Sequence, residues 1–133
     1  MRIYITHCSA TKDDSLRDTG KKVTPDKLYI SPRRIRPFIN ECKRTNVKWA
    51  IFSDLYGVWF PHVKHEWYEK SPDLVTYEEF QVLQNDFDQK LQKYDEIWFY
   101  YNPGRFHSLY RRLLEQTRLK AKVKLFSHYW EIQ

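Results

Sequence analysis

The chain has 133 residues, of which 41% are apolar, 17% aromatic and 30% charged. Five Trp, ten Tyr and eight Phe supply the bulk for one core of ordinary size, and only three Gly and six Pro exclude disordered and collagen-like classes. A formal charge of +6 favours an anionic partner, and no apolar run approaches the ~20 residues of a membrane span.

The first strand is expected over Ile3–Thr6, an alternating apolar and β-branched run. Ser31-Pro32 then reads as an N-cap and first helical residue, with Ile35, Phe38, Ile39 and Cys42 on one face of the helix that follows. Pro37 lies inside that pattern, so its first turn is separate or kinked. A second strand is expected at Lys48–Phe52. Thr76-Tyr77-Glu78-Glu79 is a capping box opening a helix whose apolar stripe is Tyr77, Phe80, Leu83, Phe87, Leu91 and Tyr94. Ile97–Tyr101 is the third strand. A helix opens at Asn102-Pro103-Gly104 and carries Phe106, Leu109, Tyr110, Leu113 and Leu114 on one side. Val123–Phe126 is the fourth strand. Strands alternating with helices predict βαβ units. The expected fold is therefore α/β, a Rossmann-like three-layer sandwich on a mostly parallel four-stranded sheet, formed as a single domain over residues 1–133.

The start, Met1-Arg2-Ile3-Tyr4-Ile5-Thr6, has no secretory apolar region, which predicts a cytoplasmic protein with Cys8 and Cys42 as thiols. Cys42, on the apolar helix face, reads as a packed core thiol. Two long non-helical stretches, Ser9–Ile30 and Leu55–Val75, interrupt the regular elements. Both leave the carboxyl end of a strand, where open α/β sheets place their ligands.

The chemistry gathers at those exits. Thr6-His7-Cys8-Ser9-Ala10-Thr11-Lys12 brings a thiol, hydroxyls, an imidazole and an ammonium together. A cation beside a thiol favours the thiolate, and a desolvated lysine is a nucleophile. The plainer alternative is a polar strand end with Cys8 buried and Lys12 solvated. After the second strand, Ser53 and Tyr56 offer hydrogen bonds and Gly57 a close turn; turn-forming and ring packing explain them equally well. After the third, Asn102 and Arg105 at a helix start suit a carboxylate or phosphate. His7, Cys8 and His128 at strand ends are the only plausible metal ligands besides His62 and His65. No common zinc spacing is met, and none of the familiar phosphate-cradling glycine motifs occurs, so no metal or cofactor is predicted.

Positive charge is concentrated in two segments, 33–48 and 105–124. If the two helices face one side, Arg33, Arg34, Arg36, Arg111 and Arg112 present a continuous surface to a nucleotide or nucleic acid; otherwise they are ordinary charged outer faces. Trp59, Trp67 and Tyr68 either stack on bases or pin the second loop down.

Three segments, in order, carry a resemblance. They are Cys8-Ser9-Ala10-Thr11-Lys12, then Leu28-Tyr29-Ile30-Ser31-Pro32, then Trp49-Ala50-Ile51-Phe52-Ser53-Asp54-Leu55-Tyr56-Gly57-Val58 with Pro61. Over residues 3–61 they resemble a family of small uncharacterised α/β proteins marked by Cys-Ser-x-x-Lys, Leu-Tyr-x-Ser-Pro and Ile-Leu-Ser-Ala-x-Tyr-Gly-Leu. Asp54 stands where that family has a small residue. The family is distantly similar to a domain of archaeosine synthase, which acts on a 7-deazaguanine base in transfer RNA. The resemblance implies that Cys8 and Lys12 match that enzyme's Cys and its nitrile-attacking Lys, and that Tyr29 and Ser31 approximate its Tyr and Ser.

The expected site is therefore Lys12, as nucleophile or electrostatic anchor, with Cys8 as partner or second nucleophile. Ser9, Thr11, Tyr29, Ser31, Ser53, Tyr56, Gly57, Asn102, Arg105 and His128 surround a nucleobase or nucleotide. A non-catalytic nucleic-acid-binding or protein-interaction module is the alternative.

Overall fold

The chain runs β1 (Arg2–His7), β2 (Lys22–Val23), α1 (Pro25–Leu28), α2 (Ile35–Thr45), β3 (Trp49–Ser53), β4 (Gly57–Trp59), β5 (His65–Glu66), α3 (Tyr77–Leu91), β6 (Glu96–Tyr100), α4 (Ser108–Gln116) and β7 (Val123–Phe126) in a computed structural model that describes residues 1–133. The main sheet has five strands in the order β4-β3-β1-β6-β7, while β2 and β5 pair separately as a short antiparallel ribbon. β1, β3, β6 and β7 are mutually parallel, and β4 turns back antiparallel on β3.

The sheet is thus one strand wider than the four expected. The added strand, β4, has three residues, too few for its alternation to separate it from a loop. It is held at both of its backbone groups: Val58 N–H donates to Asp86 Oδ2 (2.7 Å), and Lys90 Nζ donates to Val58 O (2.9 Å). Gly57, at φ +74°, makes the reversal between β3 and β4.

Side-chain alternation on the parallel strands builds two cores. Ile3, Ile5, Ala50, Phe52, Ile97 and Phe99 face α3 and α4. Tyr4, Trp49 and Ile51 face α2, with Phe126 on the same side. From β1 the chain crosses to β3 by way of α2. It then travels the other way to β6 and β7 by way of α3 and α4, and the helices change face, as right-handed crossovers require. The two basic helices, α2 and α4, therefore lie on opposite sides of the sheet and form no common surface.

Helix starts differ from expectation in two places. α2 begins at Ile35 rather than Pro32, with Pro32–Arg34 ahead of it as the separate turn that Pro37 led us to expect, and Pro37 sits in the first turn of the helix, where a missing N–H costs nothing. α4 begins at Ser108, capped by the His107 ring, which accepts from Leu109 N–H. Asn102–Arg105 is a separate turn closed by Asn102 Oδ1 on Gly104 N–H (3.1 Å). The capping box at Thr76 and Glu79 forms as expected, but Tyr77 is 68% exposed and does not join the buried stripe. No helix is long and apolar enough to cross a membrane.

Candidate functional site

β1 and β3 leave the sheet side by side, because His7 pairs with Phe52 and Cys8 N–H donates to Phe52 O (2.9 Å). This sets Cys8 beside the exit that carries Ser53 and Asp54. The chain then folds back on itself. Lys12 bridges Tyr29 antiparallel, with Asp13 N–H donating to Leu28 O (2.9 Å). That bridge fixes the backbone of Lys12 in a buried position, and its ammonium sits 4.5 Å from the centre of the Tyr68 ring.

Tyr68 is the hub of the floor. Its hydroxyl hydrogen-bonds to the Tyr29 hydroxyl and accepts from Ser53 Oγ (3.0 Å). Ser53 Oγ in turn accepts from Leu55 N–H and Tyr56 N–H, closing the turn into β4. Burial raises both tyrosines well above the ordinary phenol range, so they remain neutral hydrogen-bonding groups.

Cys8 Sγ lies 3.4 Å from Tyr110 Oη, and the Tyr110 ring stacks on His7 at 4.5 Å. Burial, reinforced by the Asp54 carboxylate, pushes the Cys8 thiol up to about 11. The thiolate is therefore not the resting form at neutral pH. Burial likewise raises the Asp54 carboxyl above its usual range, opposed by hydrogen bonding to Cys8 and by the charge of Lys12. Asp54 is 3% exposed, and its Oδ1 has no hydrogen-bond partner. Desolvation holds His7 below the ordinary imidazole value.

Two adjoining cavities open on these groups. The larger, about 510 Å³, is lined by Cys8, Ser9, Lys12, Asp54, Trp67, Tyr68 and Tyr110, with Arg17, Arg34, Arg105 and His107 around it. The smaller is a recess of about 50 Å³ where Thr6–Ser9 meet Arg33, Arg34, Ile35, Tyr100, Asn102, Arg105 and Tyr129. Lys70, also on the larger cleft, is paired with Glu79 (2.8 Å), and Arg17 reaches Glu69 at 3.7 Å. Arg33, Arg34 and Arg105 have no such ion pair.

Of the expected site residues, Lys12, Cys8, Ser9, Asn102 and Arg105 line these cavities. Tyr29 and Ser53 are fully buried behind Tyr68 and support it from below. The others are elsewhere. Thr11 is exposed but lines neither cavity; Ser31 is buried, with its carbonyl accepting from Arg36 N–H. Tyr56 stacks on His65 and donates to Glu66 O (3.1 Å), pinning the second loop. Gly57 faces Asp86 on α3, and His128 stacks on Trp130 beyond β7. Among the basic residues, Arg36 donates to Asp26 O (2.6 Å), Arg112 covers the Phe80 ring, and Arg111 lies beside Glu115 and Lys120 at another cavity. Trp59 is fully buried and donates to Val63 O (2.7 Å).

His7, Arg34, Trp67 and Tyr68, which the sequence offered as an imidazole at the strand exit, a basic contact and stacking rings, also line the site, and Asp54 and Tyr110 join them without a role expected from the sequence. Parallel pairing of the first two long strands was the signal for Asp54, since it places the residues after β3 beside those after β1. Tyr110 gave none, because its position on the apolar stripe of α4 reads as core. No group of three or more His, Cys, Asp or Glu side chains is arranged to hold a metal ion. Comparisons with protein-family models, curated proteins and solved structures find no match for this chain.

Proposed function

We propose that this chain binds a nucleotide or a nucleobase-bearing ligand at the carboxyl edge of a Rossmann-like sheet. One observation carries the reading: an arginine-lined recess joins a larger cleft that holds Lys12, Asp54 and aromatic rings. In open α/β sheets ligands enter outside the carboxyl ends of the strands, where the direction of strand travel reverses. Here that reversal lies between β1 and β6, and the recess is lined from both exits. Arg33, Arg34 and Arg105 suit a phosphate, aided by the positive end of the α2 dipole. The ring of the ligand packs against Tyr68 and Trp67, and Lys12 anchors it electrostatically. A protonated Cys8 serves as a neutral neighbour, which leaves Lys12 as the stronger candidate for any nucleophilic step. A 7-deazaguanine base falls within this ligand class.

The test is titration of nucleoside monophosphates into the protein by calorimetry. Replacing Arg34 and Arg105 together by Gln weakens binding at least about tenfold, as loss of charge-assisted bonds to phosphate requires. Lys12→Ala weakens it as well. Unchanged affinity in both variants removes the reading.

A second reading, nucleic-acid binding, is favoured by Trp130. It is 71% exposed, is stacked with His128, and adjoins Tyr129, whose hydroxyl donates to Arg34 O (2.8 Å). Single-stranded RNA that quenches Trp130 fluorescence with an affinity falling steeply with salt supports it; salt-insensitive or absent binding removes it.

A further inference from the structure

A cavity of about 470 Å³ lies at the end of the sheet opposite the recess and cleft, beside the start of β3. β4 runs antiparallel to β3 with Trp59 opposite Ile51, so the residues after β4 pass back beside the residues that open β3. A turn closed by Val63 N–H on Phe60 O (3.1 Å) holds Pro61 and His62 there. The chain leaving α3 completes the walls with Lys93 and Tyr94, and Tyr94 N–H donates to Leu91 O (3.1 Å). The volume falls within the ~300–1,000 Å³ of small-ligand sites.

Lys48, Lys93 and His62 line this cavity and no acidic residue does. None of the three forms an ion pair. The Lys93 ammonium lies 5.4 Å from the centre of the Tyr94 ring, which belongs to the same wall. Two further lining residues are nearly closed, Trp49 at 6% exposure and Tyr94 at 5%. The Trp49 indole N–H and the Tyr94 hydroxyl have no protein partner, yet unlike Asp54 Oδ1 or Trp98 Nε1 neither is sealed from solvent. The small part that each residue exposes therefore includes its one polar side-chain atom.

An open N–H and an open O–H on buried side chains, beside two unpaired ammonium groups, call for a hydrogen-bond acceptor that carries negative charge. Val47, Phe60 and Pro61 supply apolar wall for the rest of a ligand. No guanidinium faces the cavity, so the fork that favours phosphate in the recess is missing here. We propose that this cavity is a second ligand site, for a small carboxylic acid with an apolar or aromatic body. Its carboxylate accepts from Trp49 Nε1 and Tyr94 Oη and pairs with Lys48 and Lys93. The site shares no residue with the recess or the cleft, and the proposal stands apart from the nucleotide reading.

The experiment is two-dimensional NMR of the wild-type chain titrated with phenylacetate, with phenylacetamide as its neutral counterpart and acetate as its headgroup alone. The Trp49 Nε1–H signal, identified by resonance assignment, is the reporter. Phenylacetate moves that signal and binds at least about tenfold more tightly than phenylacetamide or acetate, as charge-assisted bonds and burial of the ring require. Lys48→Gln combined with Lys93→Gln, both at exposed positions, weakens phenylacetate several-fold with an unchanged melting curve. A Trp49 signal that stays in place at millimolar phenylacetate overturns the proposal. So does phenylacetamide that binds as tightly as phenylacetate, which makes the cavity a plain apolar groove. A double variant that binds phenylacetate as tightly as the wild type overturns it too. A glutamate-rich peptide that moves the signal where phenylacetate does not reassigns this face to an acidic protein partner and removes the small-acid assignment. The nucleotide site is read separately, by its own titration.

Discussion

The Lys12 ammonium rests 4.5 Å from the centre of the Tyr68 ring, and the Tyr68 hydroxyl on the same ring holds Tyr29 and Ser53. Two long loops, one after β1 and one after β4, are thereby joined over the end of the sheet. The first loop contributes the charge and the second contributes the surface that orients it.

Tyr68→Phe keeps the ring under Lys12 but removes the hydrogen-bond partner of the Tyr29 hydroxyl, on a residue that is 0% exposed. Urea denaturation is expected to show a loss of about 1–3 kcal/mol, the cost of a buried unsatisfied hydroxyl. A variant as stable as the wild type would show that this pair does not hold the loops together.

Asp54 predicts a pH dependence of stability. Burial raises its folded-state pKa above the unfolded value, so the folded chain keeps this proton to higher pH than the unfolded chain does. Stability contributed by this group therefore falls as pH rises through that window, and the penalty persists above it. Asp54→Asn is expected to melt at a higher temperature than wild type at pH 7, with the gain shrinking as pH falls toward about 4, the ordinary aspartate range. A lower melting temperature at pH 7 would contradict this account of its burial.

Cys8 tests which group is chemically available. With its thiol pushed up to about 11, iodoacetamide labelling of the native protein, followed by mass spectrometry, should be slow at pH 7.5 and rise steeply toward pH 11. Fast labelling at neutral pH would restore Cys8 as a nucleophile.

Gly57 shows a residue whose type was legible and whose task was not. Ser53, Tyr56 and Gly57 follow a strand that sequence patterning finds, and a flexible turn residue there is easily assigned to a ligand. The structure gives Gly57 a φ of +74° and sets a Cβ at that position 2.2 Å from Asp86 Oδ2. Gly57→Ala is expected to cost about 2 kcal/mol or more, from backbone strain and displacement of Asp86 from Val58 N–H. Chemical denaturation measures it, and a neutral substitution would mean that β4 is free to move away from α3.

The parallel strands and the three long helices could be read from the sequence because each is a periodic run several residues long. β4, β2 and β5 could not, since two or three residues carry no period. The site was legible where it lies on local chain, as in Cys8, Ser9 and Lys12 within five residues of one another. It was not legible where it depends on one loop folding over another. Tyr68 and Trp67 reach the cleft only because β5 pairs with β2 and carries the second loop across the first. Distribution of charge misled in one respect. Both basic helices are present, but strand order decides their faces, and it puts α2 and α4 on opposite sides of the sheet. The charge that converges comes from the residues just before each helix, Arg33, Arg34 and Arg105.

The most direct measurement of the central claim is backbone amide NMR during titration with GMP. The account predicts shifts centred on His7–Ser9, Lys12, Arg34–Ile35 and Asn102–Arg105, around the recess and cleft. Another cavity, about 470 Å³, lies at the start of β3 among Val47, Trp49, His62 and Tyr94. Shifts confined to those residues, or no shifts at all, would contradict it.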